Sequence, residues 1–105
     1  MTLSHPAAVL KRLDEIEGDL ADRQNTLEEV AFQHFKLKRD KERQRAWEFL
    51  NAHGTVAERS ATADHQTALI GVEAEAKYEA LRAVVRVLET RASIAQSILK
   101  TQGRQ

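Results

Sequence analysis

No cysteine occurs in this sequence, which excludes disulfides, thiolate zinc sites and a cysteine nucleophile and says nothing about compartment. Proline occurs once, at Pro6, and glycine only four times in 105 residues, so little interrupts a helix. Net charge is absent too: 16 basic residues balance 16 acidic ones, and no overall field draws the chain to nucleic acid or to an anionic membrane. Any such attraction has to come from a local patch. Long apolar runs are missing. The longest stretch free of charge, "MTLSHPAAVL", is too short and too polar to span a bilayer, and it lacks the basic start of a signal peptide. A cytoplasmic protein is expected. What remains is 42% hydrophobic and 30% charged residues, too charged for a large compact core and too apolar for a disordered tail. One domain is the most that such a length supports.

The architecture is written in "AHGTVAER", residues 52–59. Glycine just past a last helical turn adopts a left-handed conformation cheaply. A Thr followed three residues later by Glu reads as a helix cap, with the Thr hydroxyl accepting from a free amide and the Glu reaching back to the cap amide. Gly54 and Thr55–Glu58 supply both signals with nothing between them. Ser4 ahead of Pro6 caps the first helix in the same way. Gly18 and Gly71, isolated in periodic segments, are expected to be tolerated inside helices, and Gly103 marks a frayed end.

These signals predict an all-α, antiparallel two-helix hairpin with a coiled-coil-like seam, its helices at about 6–52 and 56–101 and its turn at 53–55. Val9, Leu13, Ile16, Leu20, Leu27 and Val30 step by three, four and seven, as do Ile70, Ala74, Leu81, Val84, Leu88, Ala95 and Ile98, which is the spacing of a seam near 3.5 residues. A second apolar edge through Tyr78, Val85, Ala92 and Leu99 exceeds what one seam needs. It is the expected interface of a homo-oligomer, a dimer or a higher even number, in which hairpins pair as a four-helix bundle.

Charge supports the hairpin independently. Residues 14–29 hold seven acids (Asp14, Glu15, Glu17, Asp19, Asp22, Glu28, Glu29) against Arg23, and residues 36–45 hold six bases against Asp40 and Glu42. Folding back at Gly54 sets residue i near 108 minus i. The acidic block then faces Arg82, Arg86 and Arg91, and the basic block lies near Asp64, Glu73 and Glu75. The same register places Trp47 by Ala61, Phe32 by Ala76 and Leu37 by Gly71, large against small as an interdigitated layer needs.

Little here points to catalysis. The histidines at 5, 34, 53 and 65 have no metal-ligand spacing, and neither a Gly-rich phosphate loop nor a Ser-His-Asp arrangement is present. His34 reads as a polar seam residue and His53 as a helix C-terminal residue favoured by the dipole. No enzyme, cofactor or metal is expected. The strongest functional candidate is "KLKRDKERQRAW", in which Lys36, Lys38, Arg39, Lys41, Arg43 and Arg45 precede Trp47. Cations beside an aromatic can hold phosphates and stack a base. The competing reading is a solvated helix face whose charges pair with Asp40, Glu42 and the opposing helix.

The run "FLNAHGTVAERSA" with the later "YEALRAVVRVLETRASIAQSIL" resembles a group of small helical proteins encoded by bacteriophages. Gly54, Thr55, Val56, Ala57, Glu58 and Arg59 match their central Gly-Ser/Thr-Val-Ala-Glu-Arg, and Leu88, Thr90, Arg91, Ser97 and Ile98 echo their tail. The resemblance covers roughly residues 47–102. It implies an accessory role in DNA recombination or replication in a bacterial host cytoplasm, exerted on DNA or on protein partners, and it implies no catalytic residues. The hairpins of type VII secretion are similar in length, but Trp47 stands seven residues from Gly54 and Arg82 follows Tyr78 where an acid belongs. The alternative function is an interaction module, an assembly chaperone or an inhibitor of a host protein, without nucleic-acid contact.

Overall fold

A computed structural model describes residues 5–103. Three helices follow one another: α1, Pro6–Asn51; α2, Val56–Thr67; and α3, Val72–Gln102. No strand occurs among the described residues. The chain is the all-α helical hairpin that its central glycine implies, with α1 answered by α2 and then α3. The cap expected at Ser4 lies outside the described residues. By its packing the chain divides into two compact units, one of Met1–Glu28 with Ala80–Gln105 and one of Glu29–Glu79.

The reversal in the second unit follows from Gly54 and Thr55. Gly54 has φ 107°, a value that only glycine adopts without strain. Thr55 is extended, and its Oγ1 accepts from the Glu58 amide at 3.2 Å, satisfying one of the free donors at the start of α2. The Glu58 carboxylate accepts from the Thr55 hydroxyl at 3.1 Å, where the sequence pattern suggested the cap amide. A residue the pattern did not single out closes the turn from the other side. Arg59 donates its Nε–H to the Phe49 carbonyl at 3.2 Å and lays its guanidinium over the Phe49 ring, 4.7 Å from the centroid.

One expectation fails here. The second limb is not a single helix over 56–101, because it is interrupted between Thr67 and Val72. Ile70 donates its amide back to Thr67 at 3.1 Å, and Gly71 turns at φ 77°. Gly71 is a break rather than a tolerated helical glycine. Its φ is left-handed, a conformation a side chain strains, and it lies in ordinary van der Waals reach of Leu37 on α1, where a Cβ would sit 3.4 Å from Leu37 Cβ. Thr67 ends α2 fully buried, with its hydroxyl satisfied by the Ala63 carbonyl at 2.8 Å. The Leu37–Gly71 approach is nonetheless the one that the hairpin register forecasts.

The seam of α1 in the second unit runs through Val30, His34, Leu37, Lys41 and Arg45, all half-buried, against Ala63 and Thr67 of α2 and the start of α3. His34 stacks on Tyr78 at 4.7 Å between centroids, and Phe35 meets the Tyr78 ring edge-on at 5.5 Å. Phe32 and Trp47 do not join this layer. They are 66% and 57% exposed, because two residues on from a seam position a helix has turned its side chain away.

In the first unit Val9, Leu13 and Ile16 of α1 meet Leu88, Ala92 and Ala95 of α3, with Leu20, Ile98 and Leu99 half-buried around them. This corrects the expected oligomer interface. Val85 and Ala92 are only 5% and 7% exposed within the single chain, Leu99 packs on the same core, and Tyr78 of the second unit stacks on α1. These four complete the hairpin seam instead of forming an outer edge. The side chains left outside are Val84, Val87 and Ile94, the first of which the sequence pattern had placed inside.

Two glycines should respond in opposite directions. Gly18 is exposed inside α1, and a Cβ there would meet nothing within 4 Å, so Gly18→Ala is expected to stabilise the chain by about 0.5–1 kcal/mol. Gly71→Ala has to accept a left-handed backbone, at a cost of about 1–2 kcal/mol. Thr55→Ala, which removes the cap, is expected to cost about 1 kcal/mol. Urea titration followed by helical circular dichroism measures all three, and a neutral Gly71→Ala would contradict the break described here.

Candidate nucleic-acid interface

The seam sorts the basic segment of α1. Lys41 and Arg45 occupy seam positions and are half-buried, whereas Lys36, Lys38, Arg39, Arg43 and Trp47 are exposed. Arg45 donates its Nε–H to Asp64 Oδ1 of α2 at 2.6 Å. That hydrogen bond, and then the charge attraction behind it, raises the Arg45 guanidinium further above its ordinary range. The same bond is the main reason the Asp64 carboxyl lies below its ordinary range, with the Lys41 charge a smaller contribution. Arg45 is therefore structural, held by Asp64, and Lys41 occupies the neighbouring half-buried seam position, its charge acting on Asp64 at longer range.

The exposed cations have no such engagement. Among the described residues Lys36, Lys38, Arg39 and Arg43 form no ion pair, with Asp40 one turn from Lys36 and Arg43 and Glu42 one turn from Lys38 and Arg39. Phe32, Lys36, Arg39, Arg43 and Leu50 follow one another by four, three, four and seven residues. That spacing lays them along one line of the helix, opposite the seam. Phe35 and Trp47 stand one turn from Arg39 and Arg43 on either flank. No carboxylate interrupts the line from Phe32 to Leu50. The nearest is Asp40, which lines a shallow groove with Arg43, Gln44 and Trp47. Lys38 lies off this line.

The structure thus unites three of the seven expected contact residues, Lys36, Arg39 and Arg43, on one face with Trp47 at its edge, and withdraws Lys41 and Arg45. It adds Phe32, which the hairpin register places in the interdigitated layer beside Ala76, and Leu50, which the sequence does not single out. Their signal lies in the seven-residue steps from Phe32 to Arg39 and from Arg43 to Leu50. Chemically, the face combines fixed positive charge with exposed π surface, which suits binding.

No family model, no curated protein and no solved structure matches this chain. No helix among the described residues is long and apolar enough to cross a membrane.

Asp64 provides a direct check on this sorting. Because its folded carboxyl lies below the ordinary range, the interaction is fully present above the unfolded value, near 4, and is lost as pH falls through the folded value. Carboxyl chemical shifts recorded against pH should show Asp64 titrating low. In Arg45→Gln the titration should return towards the ordinary range. An unmoved titration would mean that Arg45 is not held by Asp64.

Proposed function

We propose that this chain is a non-enzymatic helical binding module that holds single-stranded nucleic acid along the exposed face of α1 in its second unit. One observation carries the reading: Lys36, Arg39 and Arg43 are exposed, unpaired and aligned with exposed Phe32 and Trp47. A strand offers phosphates to the cations and unstacked bases to the rings, and the stacking tolerates any sequence because every base has a π face. A duplex presents its phosphates but hides those base faces, so single strands and the unpaired segments of branched DNA are favoured. This role agrees with the accessory function in phage recombination or replication that the resemblance of residues 47–102 implies, and with a cytoplasmic setting. The homo-oligomer expected from the sequence belongs to the same proposal, but on different residues from the apolar edge first expected.

The alternative, an interaction module without nucleic-acid contact, has its own support in Leu50, Val56, Leu69 and Val72, all exposed in the second unit. Aliphatic side chains do nothing for a phosphate, and exposed apolar surface suits a protein partner.

A salt-titrated binding assay separates the two. Three phosphate contacts predict a slope of log affinity against log salt of about −2 for a single strand, and Arg39→Ala with Arg43→Ala should flatten it by about 1.4. Phe32→Ala and Trp47→Ala should weaken single-strand binding while leaving the slope unchanged. Absence of binding to single-stranded, duplex and branched DNA at low salt would reject the proposal in favour of the interaction module.

A further inference from the structure

Formal neutrality conceals a segregation of charge along α1. In the second unit its outer face is basic and aromatic, as described. In the first unit the exposed surface of α1 is acidic: Asp14, Glu17, Asp22 and Glu28 are exposed and, among the described residues, have no ion pair, while Glu15 and Asp19 are engaged by Arg12 and Arg23 within the helix. Asp14, Glu17 and Glu28 share one side of that helix with Gly18 and Ala21, by the same three- and four-residue steps. A Cβ at Gly18 would meet nothing within 4 Å. Charge is complementary between two surfaces that every copy of the chain carries.

We propose that the acidic stretch of α1 in a second copy of this chain docks on the basic–aromatic face of the second unit and occupies it when nucleic acid is absent. Lys36, Arg39 and Arg43 step by three and four residues, and Asp14 and Glu17 repeat the three-residue step, with Asp22 five residues further on and round the helix from Glu17. The carboxylates occupy the place that phosphates take in the nucleic-acid reading. The contact refines that reading by naming a competitor for the same face, yet it stands without it, because it requires the face to be basic and exposed and does not require a strand to bind there. The partner is this same sequence, so the extent of association follows chain concentration and ionic strength. Complementary potentials of this kind govern encounter and specificity more than tight binding.

The test is a charge swap read by analytical ultracentrifugation. The unmodified chain should associate at about 0.01 M salt and come apart at about 1 M, where the screening length has fallen to about 3 Å. One variant reverses the face (Lys36→Glu, Arg39→Glu, Arg43→Glu) and another reverses the acids (Asp14→Lys, Glu17→Lys, Asp22→Lys). All six positions are exposed, and helix content by circular dichroism verifies that both variants fold. Each variant alone should lose association at low salt, and an equimolar mixture should restore it. An unmodified chain that stays monomeric at low salt, association indifferent to salt, or a folded mixture that fails to associate would each overturn the proposal. Strand binding is scored separately on the same samples. Restored association without strand binding sustains this contact and rejects the nucleic-acid reading, and strand binding without restored association does the reverse.

Discussion

Everything distinctive about α1 follows from the line of side chains it must give to the seam. A helix pressed against another along a repeat near 3.5 residues has one buried line and one line diametrically opposite it. In the second unit the buried line falls on Val30, His34, Leu37, Lys41 and Arg45, so two cations are drawn inward where an acid of α2 can answer one of them. The remaining cations have no choice of direction: Lys36, Arg39 and Arg43 fall on the opposite line because of their spacing from Leu37 and Lys41. Packing, not charge, decides which bases are structural and which are left for a ligand.

The same seam explains why Gly71 matters more than Gly18, although both lie in periodic sequence. At Gly71 the second limb passes in van der Waals contact with Leu37 and its backbone is left-handed, which a side chain would strain. At Gly18 there is only solvent. A helix interrupted for four residues and then resumed keeps its partner contact through Leu37, and the buried Thr67 hydroxyl, bonded to the Ala63 carbonyl, closes the end of α2 without leaving a polar group unpaired.

Most of the hairpin was legible in the sequence because its signals are local. Gly54, Thr55 and Glu58 specify a turn within five residues, and the register through Leu37–Gly71 follows by counting from it. The phase of α3 was not legible in the same way. Ala74, Leu81, Leu88 and Ala95 belong to the seam on either reading, but the residue that completes each heptad can be Val84 or Val85, and Ile98 or Leu99, and apolarity does not choose between them. One position does. The line through Val84 passes Arg91, whereas the line through Val85 passes Ala92, and a buried seam with α1 accommodates the alanine. The candidate site was half legible for a related reason. The composition of residues 36–47 announces cations and a tryptophan, but which of them share a face depends on the seam, and Phe32 and Trp47 look like core until the seam is placed.

Exposed aromatic rings opposite a seam call for an explanation that folding does not provide. Phe32 and Trp47 lie outside the buried layer and contribute little hydrophobic stabilisation, since that term scales with the apolar area withdrawn from water. The cations beside them form no ion pair among the described residues. A face that adds little to the stability of its own helix, combines two chemistries that work together on one class of ligand, and lies in line over five helical turns is better accounted for by what it meets than by what it supports. The acidic stretch earlier in α1 fits the same logic: Asp14, Glu17, Asp22 and Glu28 are exposed and form no ion pair among the described residues, and an opposite charge on another copy can meet them.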